Sequence, residues 1–254
     1  MSSTQFTFWY KAAAAVVVSV IIAAGYSGFR WLEEVTLQEV LISGAVNVTE
    51  AEVRRIIQVE EGDVMYDISQ VLLEDRLVRH PWVQSASVSR LPSGQLRIEL
   101  VERIPVAILI GADGRGKYFA DRVGHRMPRT GRISYDVPLI SGNIERYHPM
   151  RRIEKKATLA LLAALPELPR ETDALISEFV WIESGWELRL AGSGNHASIP
   201  VWLGEDDFAS KFKNLRLFWE KEVLRHQNKR FELIDLRFDS QVVVKEHLRQ
   251  GQPR

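Results

Sequence analysis

The 254-residue sequence contains no cysteine. That excludes disulfides, Cys-ligated metal centres and thiol nucleophiles together, and it is compatible with a reducing or an oxidising compartment alike. Neither sign of charge is in surplus: 33 Lys and Arg stand against 33 Asp and Glu. Binding along a phosphate backbone draws on an excess of Lys and Arg, so the composition offers nucleic acid nothing. The common catalytic motifs are missing too: there is no G-x-S-x-G, no P-loop and no G-x-G-x-x-G. His80, His125, His148, His196, His226 and His247 all lack the i, i+4 partner of a zinc-binding helix. The glycines from Gly111 to Gly116 precede neither G-K-[ST] nor a helix start, so they read as a hairpin turn. Asp206-Asp207 reads as a helix start rather than a carboxylate pair, and Asp121 and Asp239 are acids with no identifiable partner base. A triad assembled from distant residues is spatial and escapes this kind of search. The expectation is a protein that is not an enzyme, with no cofactor, no metal and no small-molecule substrate.

What the sequence does have is one long apolar run. Ala12–Phe29 is 18 residues without a charge, about 27 Å as a helix at ~1.5 Å per residue, close to a bilayer's hydrocarbon thickness. Phe6, Phe8, Trp9 and Tyr10 precede it, and Tyr26 and Trp31 lie at its far end, as in a helix anchored at two interfaces. Lys11 lies on the N-terminal side and Glu33-Glu34 on the other, with Arg30 weakening the contrast. The reading taken is a transmembrane helix over 12–29, with residues 1–11 as a cytoplasmic tail and the remainder outside the inner membrane, a single-pass type II arrangement. A signal peptide cleaved near Ala23-Ala24-Gly25 and a buried core helix are the competing readings.

Beyond the anchor the pattern is α+β. Val35–Ile42 is strand-like and ends at Ser43-Gly44. Thr49-Glu50-Ala51-Glu52 has the form of a capping box, with Val48 and Val53 placed as a hydrophobic staple. Asp67 is the expected cap of a second helix, Ile68–Arg79, with Ile68, Val71, Leu72 and Val78 on its apolar face. Strands over Trp82–Arg90 and Gln95–Glu102 flank a Leu-Pro-Ser-Gly turn, and Leu96, Ile98 and Leu100 alternate with polar neighbours. The order is β-α-α-β-β.

After Ile104, glycines and short strands replace that order. Lys117–Ala120, Val137–Ile140, Ile176–Ile182, Trp186–Ala191 and Ser198–Leu203 are strand-like. Arg151–Leu165 reads as a helix, with Ile153, Ala157, Ala160, Leu161 and Ala164 on one face, ended by Pro166 and Pro169. A last helix opens at Gly204-Glu205-Asp206-Asp207 and carries Phe208, Phe212, Leu215, Trp219 and Val223 at helical spacing. Phe231–Phe238 and Gln241–Lys245 are the closing strands. Phe218 lies off the helix's apolar stripe, which makes it a candidate for contact with a partner.

These stretches resemble the FtsQ/DivIB family of bacterial division proteins. The β-α-α-β-β order is that of a POTRA module. VLISGAVNVTEAEV has the strand, Gly, Asn, Thr pattern of the family's module, and HPWVQSASVSRLPSGQLRIELVERIPVA is the strongest match. YFADRVGHRM is similar to the family's Asp-x-x-Gly hairpin, VPLISG to its Pro-Leu-x-x-Gly strand, and WLGEDDFASKFKNL with IDLRFDS to its last helix and strands.

The resemblance implies a POTRA domain over 35–103, a mostly antiparallel β domain with two helices over 104–246, and a polar tail over 247–254. It implies a non-catalytic divisome scaffold at the septum, binding FtsB and FtsL and helping to recruit and control septal peptidoglycan synthesis. Carried over residue by residue, the FtsB-docking strand is Arg237, Phe238, Asp239, Ser240, Gln241, Val242, Val243 and Val244, with Phe218, Trp219 and Val244 bordering an apolar pocket. Two departures are visible. Gln241-Val242 stands where some members have Gly-Ala, and Ile182-Glu183 where some have a basic pair, which puts a salt bridge at that point in doubt. The alternative function is a chaperone-like POTRA protein of envelope assembly. Such transporters carry a long C-terminal strand series for a barrel, for which too few residues follow Val101.

Overall fold

A computed structural model describes residues 3–111, 117–129, 133–148, 151–168, 176–190, 198–225, 231–238 and 241–246, with side chains left aside at 3–8, 10, 12 and 29–34. Most of the Gly111–Gly116 turn, Pro169, Ala191, His196, His226, Asp239, Ser240 and the 247–254 tail lie outside the described residues, as do Met1-Ser2 and the side chains of Phe6, Phe8, Tyr10, Phe29, Arg30, Trp31, Glu33 and Glu34. The chain divides into two compact units, Met1–Glu102 and Arg103–Arg254.

The first unit begins with a helix, α1 (Ser3–Glu34). Its described Val and Ile side chains from Val16 to Ile22 are exposed. Taken over the described residues, no helix is long and apolar enough to cross a membrane.

Then come β1 (Glu39–Ser43), α2 (Glu50–Ile57), α3 (Gln70–Val78), β2 (Val83–Arg90) and β3 (Gln95–Glu102), the β-α-α-β-β order read from the sequence. The sheet order is β1-β3-β2, with β1 parallel and β2 antiparallel to β3. Leu96, Ile98 and Leu100 face the helices and are buried with Val53, Ile57, Leu73, Leu77 and Trp82. Each such aliphatic side chain contributes roughly 1.5–3 kcal/mol.

The capping box forms as expected. Thr49 Oγ1 accepts from the Glu52 amide at 3.0 Å, and the Thr49 amide donates to Glu52 Oε2 at 2.8 Å. Gly44 must be glycine. Its φ is +76°, and a Cβ would lie 1.9 Å from the Leu100 carbonyl oxygen.

Three expectations change here. β1 starts at Glu39 rather than Val35, because Val35–Gln38 are drawn to other partners: Met65 N donates to Val35 O (2.9 Å) and Leu37 N to Asp63 O (2.8 Å). Asp67 N bonds back to Val64 O at 3.1 Å in a turn, and Ser69, not Asp67, is the cap of α3, accepting from the Leu72 amide at 3.4 Å. The buried stripe of α3 is Leu73 and Leu77, while Val71, Leu72 and Val78 are exposed. Helical spacing serves either stripe. Gln70 and Glu74 decide between them by bonding the backbone of Val88 in β2.

The second unit carries β4 (Ala107–Ile110), β5 (Lys117–Ala120), β6 (Arg126–Pro128), β7 (Leu139–Ser141), α4 (Lys156–Ala164), β8 (Ile176–Ile182), β9 (Gly185–Leu190), β10 (Pro200–Gly204), α5 (Phe208–Phe218), β11 (Phe231–Asp235) and β12 (Val243–Glu246). Among the described residues the strands form one sheet in the order β12-β11-β10-β9-β8-β7-β4-β5-β6. It is mostly antiparallel, with β10–β11, β4–β7 and β7–β8 as parallel pairs.

The two helices bury one sheet face. Trp186 Nε1 of β9 donates to the Ala157 carbonyl of α4 at 3.3 Å, and Phe179 of β8 meets Phe212 of α5 edge-on at 6.2 Å between centroids. Gly185, at φ +108°, has a Cβ position 2.5 Å from the Gly204 carbonyl carbon, so the β8–β9 turn can lie against β10 only without a side chain.

α4 starts five residues later than expected. Glu145 Oε1 takes the Glu154 and Lys155 amides (3.0 and 2.8 Å), and Ile153 N donates to Gly124 O at 2.9 Å, which holds this stretch extended. Ala160 is exposed, while Thr158 and Leu162 are buried in its place. The three-residue strand β6 had no signal of its own beyond the hairpin pattern around Asp121.

Candidate docking edge at the last strand

The candidate site is built on β11, β12 and the end of α5. Phe208, Phe212, Leu215, Trp219 and Val223 are all buried, as their spacing predicts. The helix opens without a side-chain cap. Asp207, at φ +46°, is left-handed rather than extended as a side-chain cap requires. Asp206 instead receives the buried Lys211 ammonium at 3.0 Å. After Phe218 the backbone widens into a π turn, Trp219–Val223, closed by Leu224 N donating to Trp219 O at 3.0 Å. Trp219 therefore belongs to the core and offers a partner little surface. Phe218 remains half-buried, its ring edge-on to Phe231 of β11 at 5.4 Å between centroids.

The stretch 237–244 is not one continuous strand. β11 stops at Asp235, Leu236 N donates to Trp202 O (2.9 Å), and Gln241 N turns back to Phe238 O (3.4 Å). Arg237 and Phe238 thus stand in a reversal, Asp239 and Ser240 fall outside the described residues, Gln241 and Val242 lead in, and only Val243 and Val244 belong to β12. At the end of β11, Arg237 folds back onto Asp235. Its guanidinium donates through Nε and Nη2 to both carboxylate oxygens at 2.9 and 2.6 Å. The same guanidinium lies over the Trp202 ring at 4.5 Å. Burial alone would raise the Asp235 carboxyl, yet the Arg237 bonds outweigh it and hold the carboxyl below its usual range. Arg237 is raised in turn, chiefly by the bond to Asp235.

β12 pairs antiparallel with β11, Asp235 opposite Val243 and Ile234 opposite Val244. It is the outermost strand at that end of the sheet. Val242 and Val244 pack inward against the core, while Val243 and Phe238 are 44% and 53% exposed. The strand therefore presents an outer backbone edge beside exposed apolar side chains. Leu224, just past the π turn, is also exposed and carried no sequence signal. Glu183 stands in the β8–β9 turn, beside Gly185.

Away from this edge, Asp121 has the partners its sequence context hid. Arg103 Nη1 donates to it at 3.0 Å and His125 Nδ1 lies 3.2 Å away. Among the described residues no group of three His, Asp or Glu gathers as metal ligands would.

Two family models match the chain: a POTRA domain of FtsQ type over residues 35–103, and an FtsQ/DivIB C-terminal related region over 104–245. Among curated proteins, the cell division protein FtsQ of Rhodothermus marinus is 42% identical over 231 residues, 90% of this chain and 84% of that one. FtsQ of Salinibacter ruber is 33% identical, covering 92% of each chain, and FtsQ of Geotalea daltonii 25% identical, covering 91% of this chain and 84% of its own.

Proposed function

The chain belongs to the FtsQ/DivIB family of cell-division proteins, and from that premise we propose that it is a membrane-anchored scaffold that docks an extended segment of FtsB along β12, beside FtsL, at the division septum. Its role is in cell division, with a POTRA domain in its first unit. In this reading residues 12–29 cross the inner membrane, 1–11 stay in the cytoplasm, and the two domains, 35–103 and 104–246, stand in the periplasm. There they help recruit and control septal peptidoglycan synthesis without chemistry of their own. For the anchor the support is the uncharged run and the exposed Val and Ile side chains of α1.

The observation that carries the docking reading is the position of β12: outermost in its sheet, inner face packed through Val242 and Val244, with Val243 exposed. An edge strand shows unpaired N–H and C=O groups that a visiting strand can join. Each backbone bond is worth only about 0.5–1.5 kcal/mol net, so apolar anchors must add to it. Phe238, Val243 and half-exposed Phe218 are placed to do so. Val243→Pro in the full-length chain removes an amide from the strand. Capture of FtsB is expected to fall at least tenfold while the protein stays folded, and undiminished capture by the folded variant sinks the edge-strand reading.

A further inference from the structure

Among the described residues each of the two sheets has two outer strands, and the four edges are treated differently. β6 is three residues long and ends in Pro128, a length and a residue that discourage pairing. On β1, Arg54 of α2 reaches the Val40 carbonyl at 3.3 Å. On β2 the closure is double. Gln70 Nε2 donates to the Val88 carbonyl at 3.0 Å, and the Val88 amide donates to Glu74 Oε1 at 2.9 Å. Among the described residues Val243 and Val244 of β12 receive no such side-chain bond.

β2 is the edge that needs closing. It has eight residues, VQSASVSR, without proline or lysine; a register shift at Val83–Ser85 and the charge of Arg90 mark its two ends, so the regular stretch between them, Ala86–Ser89, carries no deterrent of its own. In an antiparallel strand the N–H and C=O of one residue point to the same side, and alternate residues to opposite sides. Val88 turns both groups to α3. By alternation Ala86 and Arg90 also face out, while Ser87 and Ser89 face β3, opposite Glu99 and Arg97. A visiting strand would need the Val88 pair at the centre of its ladder, and both groups there are taken. Gln70 and Glu74 lie one turn apart on the face of α3 that also buries Leu73 and Leu77, so the packing of the helix holds the two side chains over the strand.

We infer that Gln70 and Glu74 are edge-blocking residues: they keep β2 from pairing with the β2 of a second copy of this chain, and so leave β12 as the strand edge the molecule offers. The blocking itself is independent of what docks on β12.

The test uses the full-length chain carrying Val243→Pro, which silences pairing at β12. Because the chain lacks cysteine, Ser87→Cys provides one exposed thiol on β2 for a bis-maleimide crosslinker. With Gln70 and Glu74 intact, crosslinked dimer stays at background. With Gln70→Ala and Glu74→Ala it rises at least fivefold, and in the monomer, at a dilution where no dimer forms, the Val88 amide exchanges with deuterium at least tenfold faster. Background crosslinking in a double variant that keeps its near-ultraviolet signal overturns the inference. Should the double variant fail to fold, Glu74→Ala against Glu74→Gln decides. The glutamine keeps an acceptor for the Val88 amide and must stay at background, while the alanine must crosslink more. Equal crosslinking in the two also overturns it.

Discussion

Glu102 and Arg103 are peptide-bonded neighbours whose side chains are fastened in different units. The Glu102 carboxylate, at the end of β3, accepts the Val46, Asn47 and Val48 amides at 2.8–2.9 Å and Asn47 Nδ2 at 2.7 Å. Arg103, the first residue of the second unit, donates to buried Asp121 at 3.0 Å. Each neighbour is thus held within its own unit, Glu102 as an acceptor and Arg103 as a donor.

Glu102→Ala removes at once the acceptor shared by three backbone amides, those of Asn47 and Val48 part-buried, and by Asn47 Nδ2. Hydrogen bonds to a charged acceptor are worth about 1.5–3 kcal/mol, and unsatisfied buried donors cost comparably. We expect a loss of roughly 3 kcal/mol confined to the first unit, read as faster hydrogen exchange at residues 46–57, with the amides of β8 and β9 unchanged.

Acidification should weaken the first unit. His80 is lowered from 6.5, chiefly by burial, against the raising effect of Glu52 and Glu102. Its folded form binds the proton less well than its unfolded form, so its contribution is full above 6.5 and declines as pH falls below that value. Glu102 is also lowered, from 4.5. Burial, its largest single influence, raises it, but the bonds from Val48, Asn47 and Val46 together outweigh burial. Its contribution is present above 4.5 and is lost as pH falls through the lowered folded value. Unfolding followed by the fluorescence of Trp82 should show two successive losses on acid titration. His80→Gln should remove the upper one and Glu102→Gln the lower.

Gly185→Ala places a Cβ against Gly204 at a φ of +108°. Left-handed strain of about 1–2 kcal/mol and overpacking of about 1–3 kcal/mol act together. A drop of roughly 2–4 kcal/mol in denaturant unfolding of the second unit is expected. Gly62→Ala also has positive φ but open space around it, and should cost less.

Arg237→Ala leaves the Asp235 carboxylate without its bidentate donor and uncovers the Trp202 ring. The β11–β12 reversal should loosen, seen as faster exchange at the Val243 and Val244 amides. Asp235→Asn with Arg237→Ala should restore part of the protection, because no unpaired charge then remains.

The elements whose periodicity had only one solution were legible in the sequence. Leu96, Ile98 and Leu100 could face only one side of β3, and the aromatic stripe of α5 admitted one core face. The buried face of α3 is not legible in the same way, because two apolar stripes share the helix, and Gln70 and Glu74 bond β2 from the side of Leu73 and Leu77. The start of α4 was hidden for a similar reason. The Glu145 carboxylate that holds residues 154 and 155 extended lies nine and ten residues away, beyond any local pattern. At the candidate edge the apolar run 242–244 was visible, but the reversal before it depends on Arg237 reaching back to Asp235, a contact that spacing alone does not reveal.

The place of β12 has a consequence for synthesis. It follows every other described strand in chain order, and its single neighbour in the sheet is β11. A chain still emerging, or one halted before residue 243, has every other strand but not the edge itself. If docking runs along β12 as proposed, synthesis through residue 246 becomes a condition for it, and the order of the strands favours copies whose sheet is already built.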